Sequence, residues 1–465
     1  MPAELSTTPP ERHRMRGRAL GVALVAAFMT LLDVSIVNVA IPSMQAGLRI
    51  GASGLQWVLS GYALTFGLLL VPAGRFGDAR GIRPVFVAGL LGFTAASAAA
   101  GAAQSEAWLV TARLVQGAFA GVVNPQVTGL IQRLYPPAER ARPFGLLGAV
   151  IGIATAAGPL LGGVIIQVAG HENGWRWVFY INLPVGLAAA VLGWRLIPRR
   201  PAERRRRESL DPVGVLLLGL AVVQILLPLI EQRHWYLLGT GTLTLAGFVW
   251  WELRYPGVPL ADLQLFRRRS YALGTAVVLV YFAGFTANFF ILTLYLQRGQ
   301  HFTALEAGLA ITPFALGSAL AAFAGGRVVD RFGRPLVVAG LSVVLAGLTG
   351  IFVVLHAGVS PWVLTAPLLV AGLGSGLVIT PNQTLTLADV PVDRSGSAAG
   401  VVQTAQRVGA AFGIAAIGAV FFARLTVTSG DWAAAFEMAL MVAIAFLGLA
   451  LAAAVTDVVI ARRTR

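Results

Sequence analysis

Neither cysteine nor lysine occurs anywhere in this chain. Without thiols there are no disulfides and no thiol chemistry. Without lysine there is no phosphate-binding Gly-Lys-Ser/Thr loop, which excludes an ATP-driven pump. Charge is scarce too, at 12% of residues against 57% hydrophobic, with a mean hydropathy of +0.77. That mixture lies far outside ordinary soluble domains and belongs in a bilayer. Only five histidines are present, His13, His171, His234, His301 and His356, in tails or between apolar stretches. Their spacing matches neither metal ligands nor acid–base pairs, so no catalytic residue, metal, nucleotide or other cofactor is expected.

What the chain does have is apolar length. A membrane-crossing helix needs about 20 apolar residues, and fourteen stretches qualify, including 107–131, 213–230 and 235–253. The first, at 19–42, is too long for a signal peptide and has no small-residue cleavage site, so it reads as a retained helix. Orientation follows from the basic residues, which number 35 and are all arginine. With the N-terminus inside, most fall on inner segments; only Arg49, Arg176, Arg233, Arg298 and Arg424 fall outside, and Arg113 and Arg407 lie within spans. This asymmetry places both termini in the cytoplasm. The net charge of +15 and pI near 11.3 fit attraction to anionic headgroups better than nucleic acid, because the arginines are dispersed and not interleaved with aromatics.

The stretch Gly74-Arg75-Phe76-Gly77-Asp78-Ala79-Arg80-Gly81-Ile82-Arg83 returns as Gly326-Arg327-Val328-Val329-Asp330-Arg331-Phe332-Gly333-Arg334. Each copy joins two apolar stretches at the same stage of two similar halves. The interval between them exceeds what six spans need at roughly 30 residues per span and connection. The expected organisation is therefore a tail (1–18), a six-helix bundle (19–200), a linker with two inserted helices (201–265), a second six-helix bundle (266–460) and a tail (461–465). Parallel repeats of this kind hold substrate near the bilayer midplane between the halves.

Five motifs in order resemble the major facilitator superfamily, and within it the fourteen-span drug/proton antiporters of the EmrB/QacA subfamily. They are Leu32-Asp33-Val34-Ser35-Ile36-Val37-Asn38-Val39-Ala40-Ile41-Pro42 in span 1, the 74–83 segment, and Arg113-Leu114-Val115-Gln116-Gly117 in span 4. Gly148, Gly152 and Gly158-Pro159-Leu160-Leu161-Gly162-Gly163 follow in span 5, then Trp175-Arg176-Trp177-Val178-Phe179-Tyr180-Ile181-Asn182-Leu183-Pro184 opening span 6. The 74–83 segment departs from the family pattern at Phe76 and Ile82. The resemblance implies an all-α major facilitator fold in the plasma or inner membrane, and a monomer that exchanges protons for small lipophilic compounds.

Asp33 is the carboxylate deepest in any span, where an ionised group is expensive and must be paired or protonated. At 1.5 Å per residue its depth differs from that of Arg113 by roughly 5 Å, so the two can meet as a proton-coupling pair. A permanent structural pair is the competing reading. Gly74, Asp78, Arg83, Gly326, Asp330 and Arg334 are expected to act as a latch or staple on the inner face. Gly148, Gly152, Gly158, Gly162 and Gly163 leave a groove for helix packing, with Pro159 as a kink or hinge. Asn38, Gln116, Asn288, Tyr295, Asn382, Gln383 and Arg407 are candidate cavity-lining positions; for Arg407, packing or gating is favoured over chemistry. With Glu437 and Asp457 near span ends, a single deep acid points to neutral or monovalent substrates and a low proton stoichiometry. A dedicated exporter of one metabolite (antibiotic, siderophore or lipid) fits the same residues, and a membrane sensor or scaffold is the remaining, remote alternative.

Overall fold

The computed structural model describes residues 9–463 apart from 137, 138, 140, 171, 199–210, 232, 258, 261, 262, 389 and 391–394. Among them there is no strand. The first half comprises α1 (Pro9–Leu48), α2 (Ala52–Arg80), α3 (Ile82–Gly101), α4 (Glu106–Leu134), α5 (Ala141–Ala169), α6 (Gly174–Tyr180) and α7 (Asn182–Leu196). Next come α8 (Pro212–Glu231) and α9 (Tyr236–Arg254). The second half comprises α10 (Arg269–Leu294), α11 (Ala304–Phe332), α12 (Arg334–His356), α13 (Thr365–Leu387), α14 (Ser395–Val427) and α15 (Trp432–Arg463).

Helices lie at all fourteen apolar stretches, with α6 and α7 sharing one. Among the described residues, twelve of these are long and apolar enough to cross a membrane. The two that fall short are α4 and α9, and composition is the reason. α4 carries Arg113, Gln116, Asn124 and Gln126, and α9 carries three threonines, Glu252 and Arg254.

The duplication is visible in the packing. α2 lies on α4, α3 on α4, α1 on α5 and α3 on α7; correspondingly α11 lies on α13, α12 on α13, α10 on α14 and α12 on α15. The halves meet through α5 against α11 and α2 against α14, in each case a second helix on a fifth. α8 and α9 pack on each other, and α8 rests on α2 and α14.

The repeated segment is shorter as a loop than its glycines imply. α2 runs through Gly74 and Gly77 to Arg80, and the chain turns at Gly81 alone, with φ of 96°. α11 likewise continues to Phe332 and breaks at Gly333, with φ of 59°. Left-handed backbone is open to glycine without a Cβ clash, so one residue at each place ends one helix and starts the next. The start of α11 is set by a capping box between Thr303 and Glu306.

Candidate functional site

Asp33 of α1 and Gln116 of α4 are fully buried, and Arg113, one turn before Gln116, is 1% exposed. Residues three apart on a helix share a face, so α4 presents its cation and its amide together. Arg113 Nη1 donates to Asp33 Oδ2 at 2.6 Å and to Gln116 Oε1 at 2.7 Å, while Arg113 Nε donates to the Val58 carbonyl of α2 at 3.3 Å. Gln116 Nε2 donates back to Asp33 Oδ1 at 2.9 Å, and Asn182 Nδ2 reaches the same oxygen at 2.9 Å. The two amides also bond Ser97 Oγ of α3, at 3.1 and 3.0 Å, and that hydroxyl donates to the Phe179 carbonyl at 2.9 Å.

The carboxylate therefore receives three donors from two other helices, one of them charged. Removing two charges from water is expensive, and the attraction repays it only when the remaining lone pairs are satisfied; here they are. The aromatic floor adds to this, with the Arg113 guanidinium 4.1 Å from the centroid of Tyr62 and 5.6 Å from that of Phe179. The Tyr62 hydroxyl donates to the Thr30 carbonyl at 3.5 Å.

Sequence reasoning paired Asp33 with Arg113, and the geometry brings them together. Gln116 belongs to this network as well. Asn182 and Ser97 were missed as site residues. Asn182 stands inside the span 6 motif, and the break at Ile181 between α6 and α7 makes it the first residue of α7. Ser97 sits in a run of alanines and gives no signal. Asn38, in contrast, donates at 3.3 Å to the Val34 carbonyl of its own helix.

Span 5 divides into tight and open positions. A Cβ on Gly158 would strike Ser35 of α1, one on Gly162 would lie 3.0 Å from Ile36 Cγ1, and one on Gly163 would lie 2.7 Å from Leu305 Cα of α11. Gly152 approaches Ala319 Cβ of α11 at 3.3 Å, whereas Gly148 has nothing within 4 Å. Pro159 cannot donate to the carbonyl four residues back, that of Thr155. Ser35 Oγ supplies that bond from α1, at 3.0 Å. The helix bond that Pro159 cannot make and the α1–α5 contact are thus one feature.

On the two repeated segments, Gly74 and Gly326 make only ordinary contacts, at 3.5 and 4.0 Å. Arg83 stacks on Trp194 of α7 at 4.4 Å. Arg334, which stands where the first copy has Ile82, pairs with Asp457 of α15, which also meets Arg269 Nε at 3.2 Å. The side chains of Asp78 and Asp330 lie outside the described residues.

In the second half, Asn382 donates to the Gly274 carbonyl at 2.9 Å and, with Gln383, Tyr281, Phe282 and Gln406, lines a cleft between α10, α13 and α14. Asn288 bonds the Gly284 carbonyl of its own helix at 2.7 Å, and Tyr295 packs on Phe436 at 5.3 Å within the bundle. Arg407 places its guanidinium 4.0 Å from the Phe66 ring of α2, and its Cβ faces Gly67. It therefore sits where the halves meet, and among the described residues no carboxylate pairs with it. An aromatic row that periodicity did not reveal runs beside the cleft: Tyr281 stacks on Phe285 at 5.1 Å, Phe285 meets Phe314 at 5.3 Å, and Phe314 meets Phe289 at 4.8 Å.

Two pseudo-equivalent helical bundles with a buried, fully hydrogen-bonded ion pair in the first define a polytopic membrane protein of the transporter class. Residues 23–414 match the sequence model of the Major Facilitator Superfamily, and the chain belongs to that superfamily. It is 37% identical to a probable actinorhodin transporter of Streptomyces coelicolor over 90% of this chain and 74% of that one. It is 32% identical to the tetracenomycin C resistance and export protein of Streptomyces glaucescens, over 93% and 81% respectively. Among solved structures it is similar to an inward-facing, unoccupied bacterial homolog of the human lysosomal transporter Spinster, with a TM-score of 0.71 and 15% identity, covering 97% of this chain and 98% of that one.

Proposed function

We propose that this protein is a proton-coupled exporter of hydrophobic, neutral or monovalent cationic compounds, acting by alternating access as a monomer in the plasma (inner) membrane, with no cofactor beyond the proton gradient. The observation that carries this reading is the sealed Asp33–Arg113–Gln116–Asn182 network. It contains one titratable group, and its donors come from α4 and α7 while the acid rides on α1. A proton on Asp33 turns one acceptor oxygen into a donor that neither amide N–H can meet, and it removes the counter-charge of Arg113. The α1–α4 and α1–α7 contacts then loosen together, which is how one proton moves helices relative to one another.

Fourteen spans with both termini cytoplasmic go with this reading. α4 packs against α1, α2 and α3 with its polar groups turned inward, so its low hydropathy is no obstacle to crossing. α9 packs on α8 and returns the chain to the side it left. The aromatic row of Tyr281, Phe285, Phe289 and Phe314 is the proposed contact for an apolar substrate; the adjoining Asn382–Gln383 cleft, at about 10 Å³, holds none in this conformation. Export of a single metabolite is the second reading, favoured by the two Streptomyces relatives, which are named for actinorhodin and tetracenomycin C.

The test is accumulation of a panel of lipophilic dyes and antibiotics in cells expressing the wild type or Asp33→Asn, with and without a protonophore. Low accumulation restored by the protonophore only in the wild type is expected. Unchanged protonophore-sensitive export by Asp33→Asn would remove Asp33 as the coupling group. Export of one compound out of the panel would favour the second reading.

A further inference from the structure

α1 and α7 touch closely at mid-depth and separate towards the other end. Asn182 bonds Asp33, and a Cβ on Gly186 would lie 3.4 Å from Met29 Sδ. Beyond that point Gly21 on α1 and Ala188 on α7 leave space between the larger lining residues Val25 and Leu192. The result is a cleft of about 580 Å³, walled by Gly21, Val25, Pro184, Ala188 and Leu192, with Arg18 as its one charged lining residue. Its size falls in the range of small-molecule sites.

The cleft opens sideways, where Val25 and Leu192 are each 44% exposed and Leu187 and Val191 are 52% and 53% exposed. In a membrane protein such a surface faces acyl chains. Arg18 stands at the end nearest the N-terminus, with exposed Arg195 across on α7, between the lining residues Leu192 and Leu196; half-exposed Arg16 before it already lies 3.9 Å from Glu139. An apolar trough ending in guanidinium groups at the membrane surface is complementary to a ligand with an apolar tail and a negative head. A hydrocarbon alone would leave the exposed Arg18 guanidinium to water, and a choline headgroup would set its own cation among the arginines.

We propose that this cleft holds one anionic glycerophospholipid, its acyl chain between α1 and α7 and its phosphate at Arg18. The inference rests on the membrane reading of these two helices and not on the direction of transport or on proton coupling. The upper end of the cleft, Pro184, is two residues from Asn182, about 3 Å along the helix axis. The lipid and the Asp33 network thus share α7 as a wall.

The experiment is native mass spectrometry of the full-length protein, delipidated in detergent and titrated with phosphatidylglycerol or phosphatidylcholine of the same chains. The wild type is expected to retain phosphatidylglycerol preferentially. Arg18→Gln should bind it about five-fold more weakly, and Gly21→Leu, which fills the trough at a position with nothing within 4 Å of its Cβ, should bind neither lipid. Soluble glycerophosphate should not displace the bound lipid. Equal retention of both lipids by the wild type, unchanged phosphatidylglycerol binding in Arg18→Gln, or displacement by glycerophosphate would overturn the proposal. Because the readout is binding, loss of proton coupling in Asp33→Asn leaves it unaffected.

Discussion

At the scale of single residues, the burial of Asp33 decides what substitutions do. Asp33→Asn keeps size and shape but cannot carry a proton, so it should insert and elute like the wild type while losing protonophore-sensitive efflux. Arg113→Ala is different in kind. It leaves a buried carboxylate without its cation, at a cost of about 3–5 kcal/mol, and the expected result is a sharp fall in folded protein by fluorescence-detected size exclusion. Asn182→Ala removes one of three donors, a loss of about 1–3 kcal/mol, and should lower the thermal midpoint in detergent and slow efflux. A variant at 182 matching the wild type in both measurements would mean that the third donor contributes nothing. Of this cluster, Asp33 and Arg113 are legible in sequence because charge inside an apolar stretch is conspicuous. Ser97 and Tyr62 are not, because a hydroxyl or a ring in a helix declares no partner until the fold supplies one.

At the scale of helices, α5 carries the sharpest expectation. Gly158→Leu drives a side chain into Ser35 and should abolish efflux while membrane insertion persists. Gly148→Leu, ten residues earlier in the same motif, adds its side chain at a position whose Cβ has nothing within 4 Å, and should transport normally. If the two variants behaved alike, the α1–α5 contact would not be the reason for the glycines. Ser35→Ala tests the bond from α1, since it strips the Thr155 carbonyl of the donor that replaces Pro159. Leaving that partly buried acceptor without its donor should cost about 1 kcal/mol, read as a lower thermal midpoint. The glycine pattern announced close packing, but which glycines are close depends on which helix lies opposite, and sequence cannot say that.

At the scale of the whole molecule, the halves are joined near the α1–α10 loop ends by two bonds. Gln297 Nε2 donates to the Val39 carbonyl and Arg298 Nη2 to the Pro42 carbonyl, each at 3.1 Å. Both donors sit in a π-helical turn, Tyr295–Gly299, that continues α10; such turns often mark moving parts. The double variant Gln297→Ala with Arg298→Ala should increase labelling of a cysteine placed at Asn38 by an impermeant thiol reagent, a clean measurement in a chain with no native cysteine. Unchanged labelling would mean these bonds do not hold that side shut. Topology is tested separately, by a reporter fused after Arg207, expected to read cytoplasmic, and one between Glu231 and His234, expected to read external. The same side for both would remove α8 and α9 as a spanning pair.

Sequence by itself determined the class of this protein, because hydropathy, arginine asymmetry and an internal repeat are one-dimensional properties that the bilayer reads almost residue by residue. It also determined that Asp33 and Arg113 needed partners, since neither charge is tolerable alone at that depth. Tertiary structure decided the rest. It made the repeated segment nearly all helix, because positive φ at Gly81 and Gly333 confines each turn to one residue. It drew Asn182 and Ser97 to Asp33 and set Arg407 on Phe66 at the junction of the halves, because those meetings depend on helix rotation and crossing, which no local pattern encodes.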